Sequence, residues 1–206
     1  MLSVAEVWQA AHGLRPRLMP DIGALMTMTK VLRIGTGILL LFSGVCTQAD
    51  QSDLSSLLVY GKGFGFAVKE PPGWVGDTDR AAEFGANIIF YRRGQTPDTR
   101  GAPLIRILVA HKVDENTAED LAHDMDEYRQ RYPETKFRDL EVKHTSYKPF
   151  STLFYVPGKF YEYVTYLNPG AASTLLLSAS MNKEGVEATQ SEYSAYVEII
   201  GSLHVL

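Results

Sequence analysis

Apolar and polar residues alternate with a period of two in several short stretches of this chain, and with a helical period in two others. Phe64, Phe66 and Val68 alternate with Gly65, Ala67 and Lys69, the pattern of a half-buried strand. Pro71-Pro72-Gly73 ends that strand, because proline supplies no ladder donor, and Trp74 follows as a plug for the core. Gly61, Gly63 and Gly65 leave one side of the stretch nearly bare, which predicts close approach of another element. Further strands are expected at Asn87–Arg92, Leu104–His111, Phe137–His144, Ser151–Val156, Phe160–Leu167 and Ser173–Met181. Val156-Pro157-Gly158-Lys159 has the Pro-Gly centre of a type II turn. Asn168-Pro169-Gly170 is a second turn, so the last three strands form a meander rich in aromatic residues, most of them suited to sheet packing.

The first helix is expected from Asn116 or Thr117. Leu121, Met125, Tyr128 and Tyr132 then make one apolar stripe. Thr117-Ala-Glu-Asp120 resembles a capping box, acids at the start and Arg129 and Arg131 at the end suit the helix dipole, and Pro133 marks the stop. A second helix is expected from Lys183 or Glu184, with Tyr193, Tyr196, Val197, Ile200 and Leu203 on a stripe and Gly201 as terminator. Leu203–Leu206 makes a short last strand or packs across a sheet edge. Many antiparallel strands with two helices imply an α+β fold, an antiparallel β-sheet flanked by helices.

Residues 31–45 form an apolar run with Lys30 and Arg33 at its front, no charge from Ile34 through Ala49, and then Asp50. A basic start, a short apolar centre and a small residue at the end match a secretory signal cleaved after Ala49. The run is shorter than the ~20 residues that span a bilayer comfortably. Two alternatives stay open: Cys46 as the lipidated cysteine of a bacterial lipoprotein, and an uncleaved anchor. Val45 is bulky for the position before a lipidated cysteine. Met26 and Met28 offer starts that give a normal signal length, so residues 1–25 read as an over-extended start. The division expected is 1–25, a signal at 26–49, a polar tether at 50–57 and one domain at 58–206, with export to the periplasm or outside the cell.

Composition narrows the function. The chain has 206 residues and a formal charge of −4. From residue 50 onward, 22 acidic residues face 16 Lys and Arg, a balance unlike that of a nucleic-acid binder. One cysteine excludes a disulfide framework within the chain.

Gly65-Phe-Ala-Val-Lys-Glu-Pro-Pro-Gly-Trp74 resembles the opening of PsbP-like domains, in which alternating apolar residues run into Pro-x-Gly-Trp. Tyr161-Glu-Tyr-Val-Thr-Tyr166, the C-terminal helix and the closing Gly201-Ser-Leu-His204 are similar too. That superfamily includes the photosystem extrinsic subunit, Ran-binding Mog-type factors and exported bacterial proteins of the DcrB sort. The resemblance implies an α/β/α sandwich over most of residues 58–206 and an accessory or assembly role. It transfers no functional residue.

No catalytic constellation is legible. There is no nucleophile elbow and no phosphate-binding loop, and Gly61-Lys-Gly-Phe-Gly65 precedes a strand where a nucleotide loop would open a helix. The five histidines (His12, His111, His123, His144, His204) lack metal-helix spacing. No catalytic residue, metal ligand or cofactor is assigned. The expected function is an exported, non-enzymatic accessory protein that binds a partner protein or envelope component. Its contact surface is expected at Tyr155 and Tyr161 of the meander, with Arg92, Arg93 and Arg100 of a mobile loop as a basic lip. The alternatives are a small-molecule or metal-binding module or an uncharacterised enzyme, with a pocket gathering two or more of His111, His144, Glu162 and Tyr163, or a membrane-tethered lipoprotein of structural role.

Overall fold

A computed structural model describes residues 56–112, 117–170 and 173–206. The signal segment, Cys46 and nearly all of the tether lie outside the described residues. The elements in order are β1 (Ser56–Gly61), β2 (Phe64–Lys69), β3 (Trp74–Asp77), a 3-10 turn (Ala81–Phe84), β4 (Ile88–Arg92), β5 (Leu104–His111), α1 (Thr117–Arg131), β6 (Lys136–Asp139), β7 (Lys148–Val156), β8 (Phe160–Asn168), β9 (Leu175–Glu184), α2 (Gln190–Ser202) and β10 (His204–Val205). Among the described residues no helix is long and apolar enough to cross a membrane.

The fold is α+β. Seven strands make one antiparallel sheet in the order β3-β4-β5-β9-β8-β7-β6, and β1-β2-β10 make a second, three-stranded one. Side-chain alternation fixes the two faces of the large sheet. Tyr196 on α2 bonds Thr165 of β8, so the odd-numbered residues of β8 face α2. Tyr128 on α1 bonds Glu162, so the even-numbered ones face α1. The α2 side also carries the small sheet, through Val59, Phe66 and Val68.

Glycine makes that contact close. A Cβ on Gly76 of β3 would lie 2.3 Å from a methyl of Leu57 on β1, so the bare backbone there lets the small sheet reach the large one. The Pro71–Gly73 turn closes with a Trp74 N–H to Pro71 carbonyl bond of 3.0 Å, and Gly73 takes φ 81°, a conformation that glycine adopts without strain. Trp74 is buried as expected.

The second helix differs from its expectation. Lys183 and Glu184 continue β9, paired with Tyr161 and Phe160 of β8. Gly185 then turns the chain at φ 78°, and the helix starts after Thr189, which forms a full capping box with Glu192. Gly201 stays inside the helix, and the extended Leu203 ends it. The strand expected at Phe137–His144 stops at Asp139. His144 organises the next turn: its Nδ1 accepts from the Ser146 and Tyr147 N–H groups, and its Nε2 lies 2.9 Å from the Leu203 carbonyl. β1 and β3 are additional to the expected strands, and β1 begins within the stretch read as a tether.

Candidate functional site

At one end of the large sheet, on its α2 face, aromatic and charged side chains from six of the seven strands fall into a single row. Trp74 sits opposite Arg92, Lys183 opposite Tyr161, Tyr161 opposite Tyr155 and Tyr155 opposite Lys136. Arg92 and Lys183 lie two residues beyond Phe90 and Met181, which flank Ile105 of β5, so the two halves belong to the same row. The row runs past the N-terminus of α2.

Its inner half is internally satisfied. Glu192, buried as the capping-box carboxylate, takes a 2.5 Å bond from Lys183 and lies 3.4 Å from Arg92. The Arg92 guanidinium stands 5.8 Å from the centre of the Trp74 ring, within cation–π range. Burial pulls the Glu192 carboxyl upward, but the Lys183 hydrogen bond and both bonds from Thr189 outweigh it, and the group lies below the usual glutamate range. The opening turn is thereby wired to α2.

The outer half is different. Tyr155 and Tyr161 stack with ring centres 5.8 Å apart and planes within 10°. Both are half-buried, resting on the core with their outer surfaces in solvent. Next to them a cleft of about 190 Å³ opens between β6, the chain beyond it and the start of α2. Tyr163 and Tyr193 lie on its walls with ring centres 5.6 Å apart. Arg138 of β6 bonds Glu187 across the cleft, and that hydrogen bond holds its guanidinium above the usual value. Burial pushes the Tyr163 phenol up to about 12, so it is neutral at physiological pH, and it accepts a 3.2 Å bond from the Ala188 N–H.

The structure thus brings Arg92, Tyr155 and Tyr161 onto one face, while Arg93 and Arg100, both more than two-thirds exposed, stand outside that row. Arg92 is taken up by Glu192, Arg93 lies 3.1 Å from Glu70 and bonds the Trp74 carbonyl, and Arg100 lies 3.6 Å from Glu184. The pocket imagined around His111, His144, Glu162 and Tyr163 is not assembled. Glu162 faces α1, Tyr163 faces α2, His144 binds the C-terminal segment and His111 ends β5. Arg138, Glu187 and Glu192 escaped the sequence reading, and Lys183 and Tyr193 entered it only as helix positions, although the Thr189-x-x-Glu192 signal was present.

Two other polar clusters are closed on themselves. Arg106 on β5 bonds Ser180, Asn182 and Glu162, and Glu162 takes the Tyr128 hydroxyl. A cleft of about 580 Å³ between β1 and β3 is lined by Asp77, Arg80 and Tyr91. There Asp77 accepts from the Asp79 and Arg80 N–H groups and from Tyr91, while Arg80 bonds Glu83 and Asp98. No group of three or more potential metal ligands occurs among the described residues.

No protein-family model and no curated protein matches the chain. A solution structure of cyanobacterial PsbP (CyanoP) from Synechocystis sp. PCC 6803 is similar at 13% identity, with 79% of this chain and 98% of that chain covered and a TM-score of 0.45.

Proposed function

We propose that this is an exported, non-enzymatic accessory protein of the PsbP-like class, which binds a partner protein or an envelope component through the outer half of the Tyr155–Tyr161 row. The observation that carries the reading is the stacked tyrosine pair, half in solvent beside a second pair of tyrosines at the cleft. Tyrosine gives a large, stiff contact area with a polar tip, and it is enriched where proteins meet. Export is supported by the basic, apolar and small-residue order of residues 26–49. The class is supported by the Gly65–Trp74 motif and by an element order that ends, as expected, in a helix and a short strand.

The test is co-purification from an envelope extract of the native cell, comparing the unaltered protein with a Tyr155→Ala, Tyr161→Ala double variant whose fold is checked by circular dichroism. The expected result is loss of the principal partners from the double variant. Recovery of the same partners in the same amounts sinks the surface. The mass of the mature protein checks export, because processing after Ala49 leaves a chain that starts at Asp50.

A further inference from the structure

We propose that the outer edge of β1 takes an extended segment of a partner as an added strand, with alternate side chains entering the cleft between β1 and β3. This surface is separate from the Tyr155–Tyr161 row. Hydrogen-bond direction is the first argument. The Leu206 N–H reaches the Gly65 carbonyl, in the register that sets His204 against Ala67, so Gly65 and Ala67 turn their backbone groups toward β10. By alternation Phe64, Phe66 and Val68 turn theirs toward Gly61, Val59 and Leu57 of β1. Leu58 and Tyr60 therefore point their N–H and C=O groups out of the sheet's edge. None of these groups has a partner among the described residues.

The four strand edges differ in how they are guarded. β10 has two residues, and its Val205 N–H is held by the Tyr147 hydroxyl. β6 has four residues, and Lys136, Arg138 and Asp139 are charged. β3 also has four; the Trp74 N–H is bonded to Pro71 and the Trp74 carbonyl to Arg93. Short strands, edge charges and covering groups keep sheet edges from pairing. β1 has none of them. Its six residues carry no charge and no proline, keep unbroken register with β2 and leave Tyr60 half exposed.

The cleft selects the occupant. Donors and acceptors repeated at every second residue are matched by another extended backbone. From the spacings within and between sheets, four residues of strand fill on the order of 600 Å³. The cleft beside β1 measures about 580 Å³, room for one strand. Asp77 is already met by the Asp79 and Arg80 N–H groups and by Tyr91, and Arg80 by Glu83 and Asp98. The side chain that enters is therefore apolar and lies against Leu57 and Val75.

The experiment is an NMR titration of the full chain with acetyl-Thr-Val-Thr-Val-Thr-amide and with the same peptide N-methylated at its threonines. When the valines point into the cleft, the threonine N–H groups face β1, so methylation removes the pairing donors and keeps the side chains. The plain peptide is expected to slow amide exchange at Leu58 and Tyr60 saturably and to leave Phe137 and Asp139 on the guarded β6 edge unchanged. The methylated peptide is expected to bind roughly ten-fold more weakly, the loss of one or two net hydrogen bonds. Tyr60→Pro removes an outward donor without touching the β1–β2 ladder and is expected to weaken the plain peptide. The peptide arms need no altered protein, so they decide the matter even where that variant fails to fold. Absence of a saturable response overturns the proposal, as does equal binding of the methylated peptide. Protection of Leu58 and Tyr60 that grows with protein concentration without peptide gives the edge to a second copy and also overturns it. The titration reads β1 and the co-purification reads Tyr155 and Tyr161, so either can fail with the other intact.

Discussion

The two faces of the large sheet are built by different physics. On the α2 side the contact is apolar apart from the Lys183–Glu192 pair at one end: Ile199, Ile200 and Leu203 lie on Leu167, Leu177, Ala179 and Met181, with Phe66 and Val68 of the small sheet filling the remainder. The buried Tyr196 hydroxyl there is met by Thr165 and by the Ala179 carbonyl, and that of Tyr163 by the Ala188 N–H. On the α1 side the apolar cluster is smaller, and the helix is tied down by two reciprocal bonds. Tyr128 of α1 reaches Glu162 of the sheet, and Tyr166 of the sheet reaches Asp124 of α1. Burial and the nearby carboxylates raise both phenols well above their usual range, so each stays a donor. The lesson is one of division. The apolar face carries the stability and projects its unspent aromatic surface at one end, whereas the polar face spends its ionisable groups on one another.

Phe66→Ala breaks the apolar face hardest. Phe66 is fully buried, and its truncation is expected to cost about 3–5 kcal/mol, read from the urea midpoint. A cost under ~1 kcal/mol contradicts the weight placed on that face. Glu162→Ala probes the other face. It strands a buried guanidinium and is expected to cost about 3 kcal/mol, while Arg106→Met combined with Glu162→Leu is expected to lie closer to the unaltered protein. Additive losses in the double variant mean that Arg106 and Glu162 do not act as a pair.

The smallest effect sits where the faces meet the row. Because the folded Glu192 carboxyl lies below its ordinary value, its contribution is fully present above the unfolded glutamate value of about 4.3. It is lost as pH falls through the lower folded value. Glu192→Gln is expected to cost about 2 kcal/mol at neutral pH, the size of a charge-assisted hydrogen bond. It also flattens the loss of unfolding free energy on acidification below about pH 4.3. An acid profile as steep as that of the unaltered protein rejects the assigned role.

Much of this division was legible where it depended on neighbours in sequence. The bounds of β5 coincide with the expected Leu104–His111, and α1 starts at the expected Thr117 and carries Leu121, Met125 and Tyr128 of its stripe, with Tyr132 just past its end. What depended on register or distance was not. A two-residue loop at Pro157-Gly158 would set Tyr155 against Phe160. The hairpin uses three residues, 157–159, and Tyr155 meets Tyr161. Arg106 sits inside the most apolar strand, and its partner Glu162 is 56 residues away, beyond any local pattern. The start of α2 was obscured because the charged pair Lys183-Glu184, which suits a helix start, instead continues β9 against β8, although the capping box at Thr189 announces the helix.

The most direct test places a photo-reactive benzoylphenylalanine at position 155, in the outer half of the row, or at position 123, on the solvent face of α1, where His123 is three-quarters exposed. Irradiation in the native cell is expected to give a discrete adduct from position 155 and none from position 123. An adduct at position 123 with none at position 155 contradicts the account.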